Sequence, residues 1–523
     1  MQQKLISATE AAALIKSGDD IIVGGSAGMG VAESILDALE QRFLETEAPR
    51  DLGVIHTTGV GAVSEKGLNH LAHKGMVRRV IGGNFGLQIP FMKELIVSNV
   101  IQAYNVPQGV MCQLYRAMAA GQPGVITHVG LHTYMDPRHE GGRMNNVTKV
   151  DRVELVELLG REWLFYRAPR ANFALIRGTT ADEDGNVSME REAAALEALS
   201  IAQAVHNSGG TVVCQVQRLA RRGTLNPKTI GVPGFLINYF VIDQDQMQNY
   251  AEPYDPSRSG ETVRPLATIE PNPLDFRRVI ARRGAFELAS DAVFNLGVGV
   301  SAGIANVAAE EDIEDLVVLT VEAGPVGGIP GQGLYFGSSI NPKAIMEQGY
   351  MFDFYAGGGL DVAFVSFAEV DAKGNVNVTC FGDRNDGAGG FIEITQNTKR
   401  IVFSGTFTGR GLKGDVGSGN LTITSEGSIQ KFVPEVNQIS YNASFGQERH
   451  QDIMFVTERA VLKMMPDGIT VTELAPGVRL QEDVLDQMGF EPRVADEVKV
   501  MDPRIFSDGP MGLRKAILMN ETG

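Results

Sequence analysis

The sequence predicts an α/β protein in which a proline-rich linker joins two related open-sheet domains. Three observations support this prediction. The chain has 523 residues, of which 43% are hydrophobic and 21% are charged, and this length and composition are typical of a globular protein with more than one core. Short β-branched runs alternate with helical patterns, and one stretch of the first half recurs in the second.

Strands followed by glycine turns and helices occur in both halves. "GDDIIVGG" precedes "VAESILDALEQRFLE" in the first half, and "DAVFNLGVG" precedes "SAGIANVAAEED" in the second. This order indicates parallel βαβ units, for which right-handed crossovers are expected.

An internal repeat indicates that the two halves are related. "ANFALIRGTTADEDGNVSM", from Ala171, aligns without a gap on "LDVAFVSFAEVDAKGNVNV", from Leu360. The same offset of 189 residues pairs "VVCQV" at 212 with "IVFSG" at 401. Each copy has the pattern of a buried strand, a turn at D-x-x-G-N-V and a second strand.

The composition changes over residues 251–273, where five prolines interrupt a polar stretch that has no hydrophobic period. Such a segment is typical of a linker. We therefore predict an N-terminal domain over residues 1–250, a linker over 251–273 and a C-terminal domain over 274–523.

The chain is acidic, with a net charge of −17, and its 46 Lys and Arg residues are scattered. This argues against a general nucleic-acid or anionic-membrane surface. No apolar run approaches the roughly 20 residues that span a bilayer, and the N-terminal segment indicates an amphipathic helix rather than a signal peptide. Cys112, Cys214 and Cys380 lie far apart, without disulfide or zinc spacing, so we expect a cytoplasmic protein.

The segment "LTVEAGPVGGIPGQG" carries Glu322 from an apolar run into a loop with five glycines and two prolines. Three roles are open for this carboxylate. Gly297, Gly299 and Ala302 complete G-x-G-x-x-A between a strand and a helix, which predicts an NAD-binding oxidoreductase with Glu322 on the ribose. A loop without side chains also suits a nucleophilic carboxylate that substrate approaches closely. Alternatively, Glu322 is a turn carboxylate bonded to loop N–H groups.

Two further glycine clusters are candidates for binding negative charge. In "NDGAGGFIEI", the N–H groups of residues 387–390 can hold an oxyanion or a phosphate, although a tight turn explains the same glycines. The cluster in "YAGGGLDVAF", which contains Gly357, Gly358 and Gly359, has the same two explanations.

Gln108, in "NVPQGV", opens an amphipathic helix. Its amide either donates to a developing oxyanion or caps the helix. His128 and His132 are four residues apart, but Gly130 lies between them and no E-x-x-H pattern accompanies them. We therefore predict no metal site.

Several blocks together carry a family resemblance: "VEAGPVGGIPGQG", "FDFYAGGGLDVAFVSFAEVDAKGNVNV", "GAGGFIEIT", "YNVPQGV", "DPRHEGGRMN", and "TERAVL" with "ELAPGVRLQ". They resemble the glutamate-dependent (family I) CoA-transferases, in particular the single-chain acetate or propionate type. The blocks keep their order from about residue 5 to residue 505. The resemblance implies a CoA-transferase fold with the site at the domain interface.

The resemblance also implies a mechanism. In that family a glutamate attacks an acyl-CoA thioester, and the released CoA thiolate converts the resulting anhydride into a glutamyl-CoA thioester. A second carboxylate then reverses these steps, which gives ping-pong kinetics. The matching blocks imply that Glu322 is the nucleophile and Gln108 the oxyanion-stabilising amide. They also imply that Gly389 and Gly390 contact CoA through their backbone, and that residues 357–359 border the CoA channel.

The predicted function is reversible CoA transfer between a short-chain acyl-CoA and a free carboxylate such as acetate or propionate. Coenzyme A is then a substrate and a covalent intermediate, and no tightly bound cofactor is expected. The expected partners are acyl-CoA, small carboxylic acids and further copies of the chain in a dimer or tetramer. A CoA-ester hydrolase on the same scaffold and an NAD-binding oxidoreductase are the alternatives.

Overall fold

Two large β-sheets form the centre of the protein in the computed structural model. The structure describes residues 4–62, 64–86, 90–265, 272–382 and 384–520. Within these ranges, nine strands form the first sheet and ten form the second. This confirms the predicted α/β class with two open sheets. No helix of the described residues is long and apolar enough to cross a membrane.

The first half contains the first sheet and a separate sheet of three strands, β5, β7 and β6. Its helices are α1 (Ala8–Leu14), α2 (Glu33–Thr46), α3 (Pro90–Val97), α4 (Gln108–Ala119) and α5 (Ala198–Asn207). Its strands are β1 (Asp20–Val23), β2 (Leu52–His56), β3 (Val77–Gly82), β4 (Gln102–Asn105), β5 (Gly124–Thr127), β6 (Val153–Leu158), β7 (Arg161–Arg167), β8 (Phe173–Asp182), β9 (Val187–Ser188), β10 (Thr211–Ala220), β11 (Ile230–Val232) and β12 (Tyr239–Ile242).

The second half contains the second sheet and several short hairpins. Its helices are α6 (Phe276–Ala285), α7 (Gly303–Glu310), α8 (Gln348–Ala356), α9 (Phe391–Gln396), α10 (Ala443–Glu448) and α11 (Leu513–Asn520). Its strands are β13 (Val293–Leu296), β14 (Val318–Thr320), β15 (Pro325–Val326), β16 (Ile329–Pro330), β17 (Ser339–Ile340), β18 (Ala344–Ile345), β19 (Val362–Ser366), β20 (Glu369–Val370), β21 (Val376–Asn377), β22 (Cys380–Phe381), β23 (Arg384–Asn385), β24 (Arg400–Ser404), β25 (Thr408–Gly409), β26 (Lys413–Gly417), β27 (Asn420–Ser425), β28 (Ile429–Gln430), β29 (Asp452–Val456), β30 (Ala460–Met465), β31 (Gly468–Leu474) and β32 (Arg493–Val500).

Five parallel strands form the centre of each sheet. Their order is β2-β1-β8-β10-β12 in the first sheet and β14-β13-β19-β24-β29 in the second. The registers also agree, because Phe173 pairs with Thr211 and, 189 residues further on, Val362 pairs with Arg400. The sequence repeat is therefore a repeat of structure.

The two D-x-x-G-N-V turns have the same hydrogen bonds. The Asn186 N–H donates to Asp182 Oδ1 at 2.9 Å, and the Asn375 N–H donates to Asp371 Oδ1 at 2.9 Å. In each turn the asparagine amide also donates to the second carboxylate oxygen, at 3.1 and 3.0 Å respectively. The glycine before each asparagine has a positive φ, +87° and +84°, which a residue with a Cβ rarely adopts.

Helices cover both faces of the first sheet, which explains why all ten residues of β8 are buried. Helices α1 and α2 pack on one face, and α4 and α5 pack on the other. The hydrophobic core on the face covered by α4 and α5 continues into the other half, because α4 also packs against α8. Helix α4 thus lies between the two halves, with its first residue, Gln108, fully enclosed.

The predicted linker packs against the second half where it is described. Arg258 donates to Ser338 Oγ at 2.9 Å, and the side-chain amide oxygen of Asn341 accepts the Arg264 N–H at 2.8 Å. Residues 266–271 of the linker lie outside the described residues. The strands of the two large sheets fall within residues 20–242 and 293–500, while the domain limits at 250 and 274 stay a prediction.

Candidate active site

A cavity of about 330 Å³ lies where the carboxyl ends of the parallel strands of both sheets face each other. Ligands of open α/β sheets bind at such strand ends. Each half contributes loops that follow its strands. The lining residues of the first half are Ser26, Ala27, Thr58, Gly59, Asn84, Gly86 and Gln108, and those of the second half include Gly297, Val298, Glu322, Phe336, residues 365–368, Val378, Phe381, residues 386–391 and Ile394.

Glu322 is held in a tight reverse turn between β14 and β15. The Val321 N–H donates to the Pro325 carbonyl and the Gly324 N–H donates to the Val321 carbonyl, both at 2.9 Å. Gly324 has a φ of +122°, and a Cβ there would lie 2.0 Å from the Met346 carbonyl oxygen. Only glycine fits that position, so the glycine-rich sequence around Glu322 fixes the direction of its side chain.

The Glu322 carboxylate is partly exposed to the cavity and otherwise enclosed by protein. Burial raises its pKa to about 7, because a low-dielectric environment disfavours the charged form. Among the described residues, no Lys or Arg forms an ion pair with it. The carboxylate therefore has neither a cation nor a cap that stabilises its charge, which argues against the turn-cap role.

Gly390 lies directly against this carboxylate. A Cβ built on Gly390 would be 2.6 Å from Glu322 Oε2 and 2.7 Å from the Phe352 ring. No side chain fits between the glutamate and the aromatic ring, so the backbone of Gly390 forms this wall of the cavity.

The loop that carries Gly390 is held by the first half. The Asn105 side chain accepts the Ala388 N–H at 3.0 Å and donates to the Gly83 carbonyl at 2.6 Å. The Gly389 N–H donates to the same Gly83 carbonyl at 2.7 Å. Asn105 was missed by the sequence analysis, because its partner Ala388 is 283 residues away and nothing local marks it.

Gln108 reaches the cavity from the other side. Its N–H donates to the Gly389 carbonyl at 3.0 Å, so the start of α4 contacts the glycine loop directly. Both polar atoms of its side chain are buried and have no protein partner. Because buried amides are almost always hydrogen-bonded, this free amide beside the cavity fits a ligand-binding role better than the helix cap that was the alternative.

The two predicted CoA-contacting glycines differ in their N–H groups. The Gly389 N–H is used by the Gly83 carbonyl. No hydrogen bond from the Gly390 N–H occurs within the described ranges. Of the two, Gly390 therefore retains a free donor beside Glu322.

Gly357, Gly358 and Gly359 lie elsewhere. They follow the end of α8, where a Cβ on Gly359 would be 2.1 Å from the Phe354 ring. None of the three lines the cavity. Their local role is to close the helix, and the contact with CoA that the resemblance implies for them stays a prediction.

Glu393, which lies between the lining residues Phe391 and Ile394, is another acidic residue that the sequence analysis missed. It lies on α9 and is 1% exposed, and burial raises its pKa to about 8. The signal available in the sequence was one carboxylate within the apolar run "FIEI", three residues after Gly390.

One group of described residues has the spacing of metal ligands, namely Asp37, Glu40 and His70. It lies outside the cavity, and His70 is hydrogen-bonded to Glu40. The absence of a metal site that we predict from the sequence stays a prediction.

The fold and cavity define a class of protein: an α/β protein with an enclosed carboxylate, Glu322, in a cavity where the parallel strands of two sheets end. The chain matches known proteins over most of its length. Residues 5–243 match the family "Coenzyme A transferase". The chain is 44% identical to acetate CoA-transferase YdiF of Escherichia coli (strain K12), over 94% of this chain and 92% of that protein. It is 41% identical to caffeate CoA-transferase of Acetobacterium woodii, over 98% of both chains.

Solved structures support the same relationship. The apoenzyme of the acyl-CoA transferase YdiF from Escherichia coli O157:H7 superposes with a TM-score of 0.93 at 42% identity, over 97% of both chains. A YdiF structure described as a thioester complex with CoA superposes with a TM-score of 0.92.

The chain belongs to the coenzyme A transferase family. It is an acyl-CoA transferase that uses coenzyme A as a substrate, which confirms the predicted family, fold and enzyme class. The G-x-G-x-x-A match at Gly297, Gly299 and Ala302 is therefore the turn of a βαβ unit, and the NAD-binding oxidoreductase alternative is set aside.

Proposed function

We propose that the protein transfers CoA between a short-chain acyl-CoA and a free monocarboxylate, with Glu322 as the covalent nucleophile. One observation carries the proposal. The largely enclosed Glu322 carboxylate and the unpartnered Gln108 amide line the same cavity, with no side chain between Glu322 and the Gly390 backbone.

The first step forms a bond from a Glu322 oxygen to the thioester carbon. The C–S bond breaks, and its electron pair leaves on sulfur as the CoA thiolate. The thiolate then attacks the Glu322 carbonyl carbon of the anhydride, which forms glutamyl-CoA and releases the acyl group as a carboxylate. Burial of Glu322 aids the attack, because a desolvated carboxylate is a stronger nucleophile than a hydrated one. A second carboxylate reverses the sequence.

Negative charge develops on carbonyl oxygens beside Glu322 in each step. Gln108 Nε2 and the Gly390 N–H are the donors that we assign to these oxyanions. Donors fixed in a cavity contribute about 3 kcal/mol each to transition-state stabilisation. Gly389 has a different role, because its N–H holds the loop on Gly83.

The acyl group that we propose is small and uncharged, such as acetyl or propionyl. The cavity is largely apolar, with Phe336, Phe367 and Ile394 among its lining residues. One relative is named for acetate and another for caffeate. Initial rates with acetyl-, propionyl-, butyryl- and caffeoyl-CoA define the preference, and a maximum at caffeoyl-CoA would contradict a short-chain substrate.

We also make proposals on the cofactor content, location and assembly of the enzyme. The exchange of a thioester for a carboxylate is nearly balanced in energy, so we propose no tightly bound cofactor beyond CoA as a covalent intermediate. We also propose a cytoplasmic homodimer or homotetramer. Size-exclusion chromatography with light scattering tests the assembly, and a monomer at micromolar concentration would contradict it.

Trapping of the intermediate tests the mechanism. The enzyme is incubated with acetyl-CoA without an acceptor, treated with hydroxylamine, and mapped by peptide mass spectrometry. We expect a hydroxamate on Glu322 and none in the matched variant Glu322→Gln. Active enzyme with an unmodified Glu322 would overturn the assignment. CoA release without an acceptor at the rate seen with one would instead indicate the hydrolase alternative.

A further inference from the structure

Glu393 occupies an unusual position for a carboxyl group. It lies on α9 of the second half, where all six residues of the helix are buried. One of its oxygens, Oε2, is buried without a hydrogen-bond partner. Because burial of an unpaired polar atom is unfavourable, an apolar residue would serve this position better if packing were its only role.

The other oxygen of Glu393 contacts the first turn of α4, across the boundary between the halves. Oε1 accepts the Gly109 N–H at 2.7 Å and the Val110 N–H at 3.1 Å. The first N–H groups of a helix have no partner within the helix. Helix α4 has no side-chain cap of its own, because Pro107 precedes it. Glu393 therefore caps α4 from the opposite half.

The same turn of α4 begins with Gln108. The Gln108 N–H donates to the Gly389 carbonyl at 3.0 Å, and a Cβ on Gly109 would lie 2.6 Å from Phe352 Cβ. Three groups of the second half, the Gly389 carbonyl, Phe352 and Glu393, thus fix the position of this turn. The direction of the Gln108 side chain into the cavity depends on that position.

We propose that Glu393 is a positioning residue for CoA transfer: by capping α4 across the interface, it places the Gln108 amide over the Glu322 carboxylate. This inference rests on the proposed role of Gln108. It assigns Glu393 an effect on the chemical step that acts through another residue, without contact between Glu393 and substrate.

We choose the test variants to match the protonation state of Glu393. Burial raises its pKa to about 8, so near pH 7 the side chain is mostly a neutral acid whose Oε1 accepts two N–H groups. Glu393→Gln keeps a neutral side chain with one acceptor oxygen. Glu393→Met keeps a similar volume but has no acceptor for the α4 N–H groups. The two variants form a matched pair.

Steady-state kinetics of CoA transfer from acetyl-CoA to propionate provide the first readout. We expect Glu393→Met to lower kcat about 100-fold, as loss of an oxyanion donor does, with the KM for acetyl-CoA within about threefold. Glu393→Gln should stay within about fivefold of the wild-type kcat. A wild-type kcat for Glu393→Met, or an equal loss in both variants, would overturn the inference.

A double-mutant cycle separates positioning from a general structural effect. If Glu393 acts through Gln108, Glu393→Met combined with Gln108→Ala should lower kcat by at most about threefold beyond Gln108→Ala alone. A double variant whose loss of kcat equals the product of the two single losses would contradict action through Gln108. If Glu393→Met does not fold, Glu393→Asp replaces it. Its shorter side chain should give a loss confined to kcat, and a wild-type kcat would overturn the inference.

Hydrogen exchange tests the cap without reference to activity. In Glu393→Met, the amides of Gly109 and Val110 should exchange faster than in the wild type, and in Glu393→Gln they should not. Unchanged exchange in Glu393→Met would overturn the inference even if the proposed function holds. Conversely, failure to trap Glu322 in the wild-type enzyme would overturn the proposed function while faster exchange still showed the cap.

Discussion

The two halves of the protein end equivalent strands in different ways. Strand β2 of the first sheet and β14 of the second occupy the same place beside β1 and β13. Two residues beyond each strand lie Thr58 and Glu322, and both line the cavity. One scaffold thus presents two equivalent positions to the same space, and only one of them carries a carboxylate.

The strands that follow differ as well. The first sheet continues with two parallel strands, β3 and β4, and the chain beyond β4 delivers Gln108 to the cavity. The second sheet turns back at once into the antiparallel strand β15, which holds Glu322 in a reverse turn. The repeat therefore supplies the geometry, while the segments after the strands supply different side chains in each half.

Exchange of the carboxylate for an amide tests this comparison most strongly. Glu322→Gln should lower the rate of transfer by about 10,000-fold or more, because no covalent intermediate can form. The equivalent change in the first half, Thr58→Val, should cost less than about tenfold. Initial rates by chromatography of acyl-CoA products measure both. Transfer by Glu322→Gln near the wild-type rate, with amide hydrolysis excluded by mass spectrometry, would rule out the proposed mechanism.

Removal of the amide from the first half should have the next largest effect. We expect Gln108→Ala to lower kcat about 100-fold, because one oxyanion donor is lost. Gln113→Ala, on the same helix, removes an amide that is bonded to Asp353 at 2.9 Å and lies outside the cavity. It should change kcat less than about threefold. Equal kcat values for the two variants would show that the first half supplies no donor.

The two glycine clusters of the second half provide a third test. Gly390→Ala places a Cβ 2.6 Å from Glu322 Oε2, whereas the nearest atom to a Cβ on Gly357 is 3.1 Å away. We expect Gly390→Ala to lower kcat by about 100-fold or somewhat less, because it displaces the nucleophile. Gly357→Ala should keep nearly full activity. A larger loss in Gly357→Ala than in Gly390→Ala would reverse our assignment of the two clusters.

The pH dependence of the rate should show the raised pKa of Glu322. Attack requires the ionised carboxylate, so kcat/KM should fall about tenfold per pH unit below pH 7 and level off above it. The pKa of about 7 sets the position of this limb. A profile that is flat from pH 5 to pH 8 would contradict the burial of Glu322 in its reactive state.

The smallest expected effect is on the free energy of unfolding. The folded state keeps the proton on Glu322 up to a pKa of about 7, against 4.5 as the ordinary value. The wild type therefore loses stability relative to Glu322→Gln as pH rises through this window. At pH 8 the variant should be more stable by up to roughly 3 kcal/mol, and near pH 4 the two should agree. Urea unfolding at both pH values measures the difference. A less stable variant at pH 8 would contradict the predicted sign.

Local sequence signals predicted the repeat, the two sheets and the motifs that meet in the cavity. They worked because the repeated strands and the glycine-rich turns around Glu322, Gln108 and Gly390 are each encoded within a few residues. Asn105 and Glu393 could not be found in this way. Their roles depend on partners 283 and 284 residues away, and a buried polar residue in an apolar run does not reveal what it contacts.

The glycines at 357–359 show a second limit of local sequence signals. They contain three glycines, as the cluster at 387–390 does, yet they follow the end of α8 and do not line the cavity. Local composition gives the backbone freedom of a turn but not its neighbours. The resemblance to a family, rather than the spacing of residues, ranked the roles of Glu322.

The attachment of residues 386–390 to the first half has a consequence for synthesis of the chain. A ribosome completes the first sheet, with Gln108, before it adds Glu322, and adds the glycine loop later still. Until that loop docks on Gly83 and Asn105, the carboxylate has no Gly390 wall beside it. With Glu322 as the proposed nucleophile, a chain that lacks this loop should react with acyl-CoA more slowly than one in which the loop has docked.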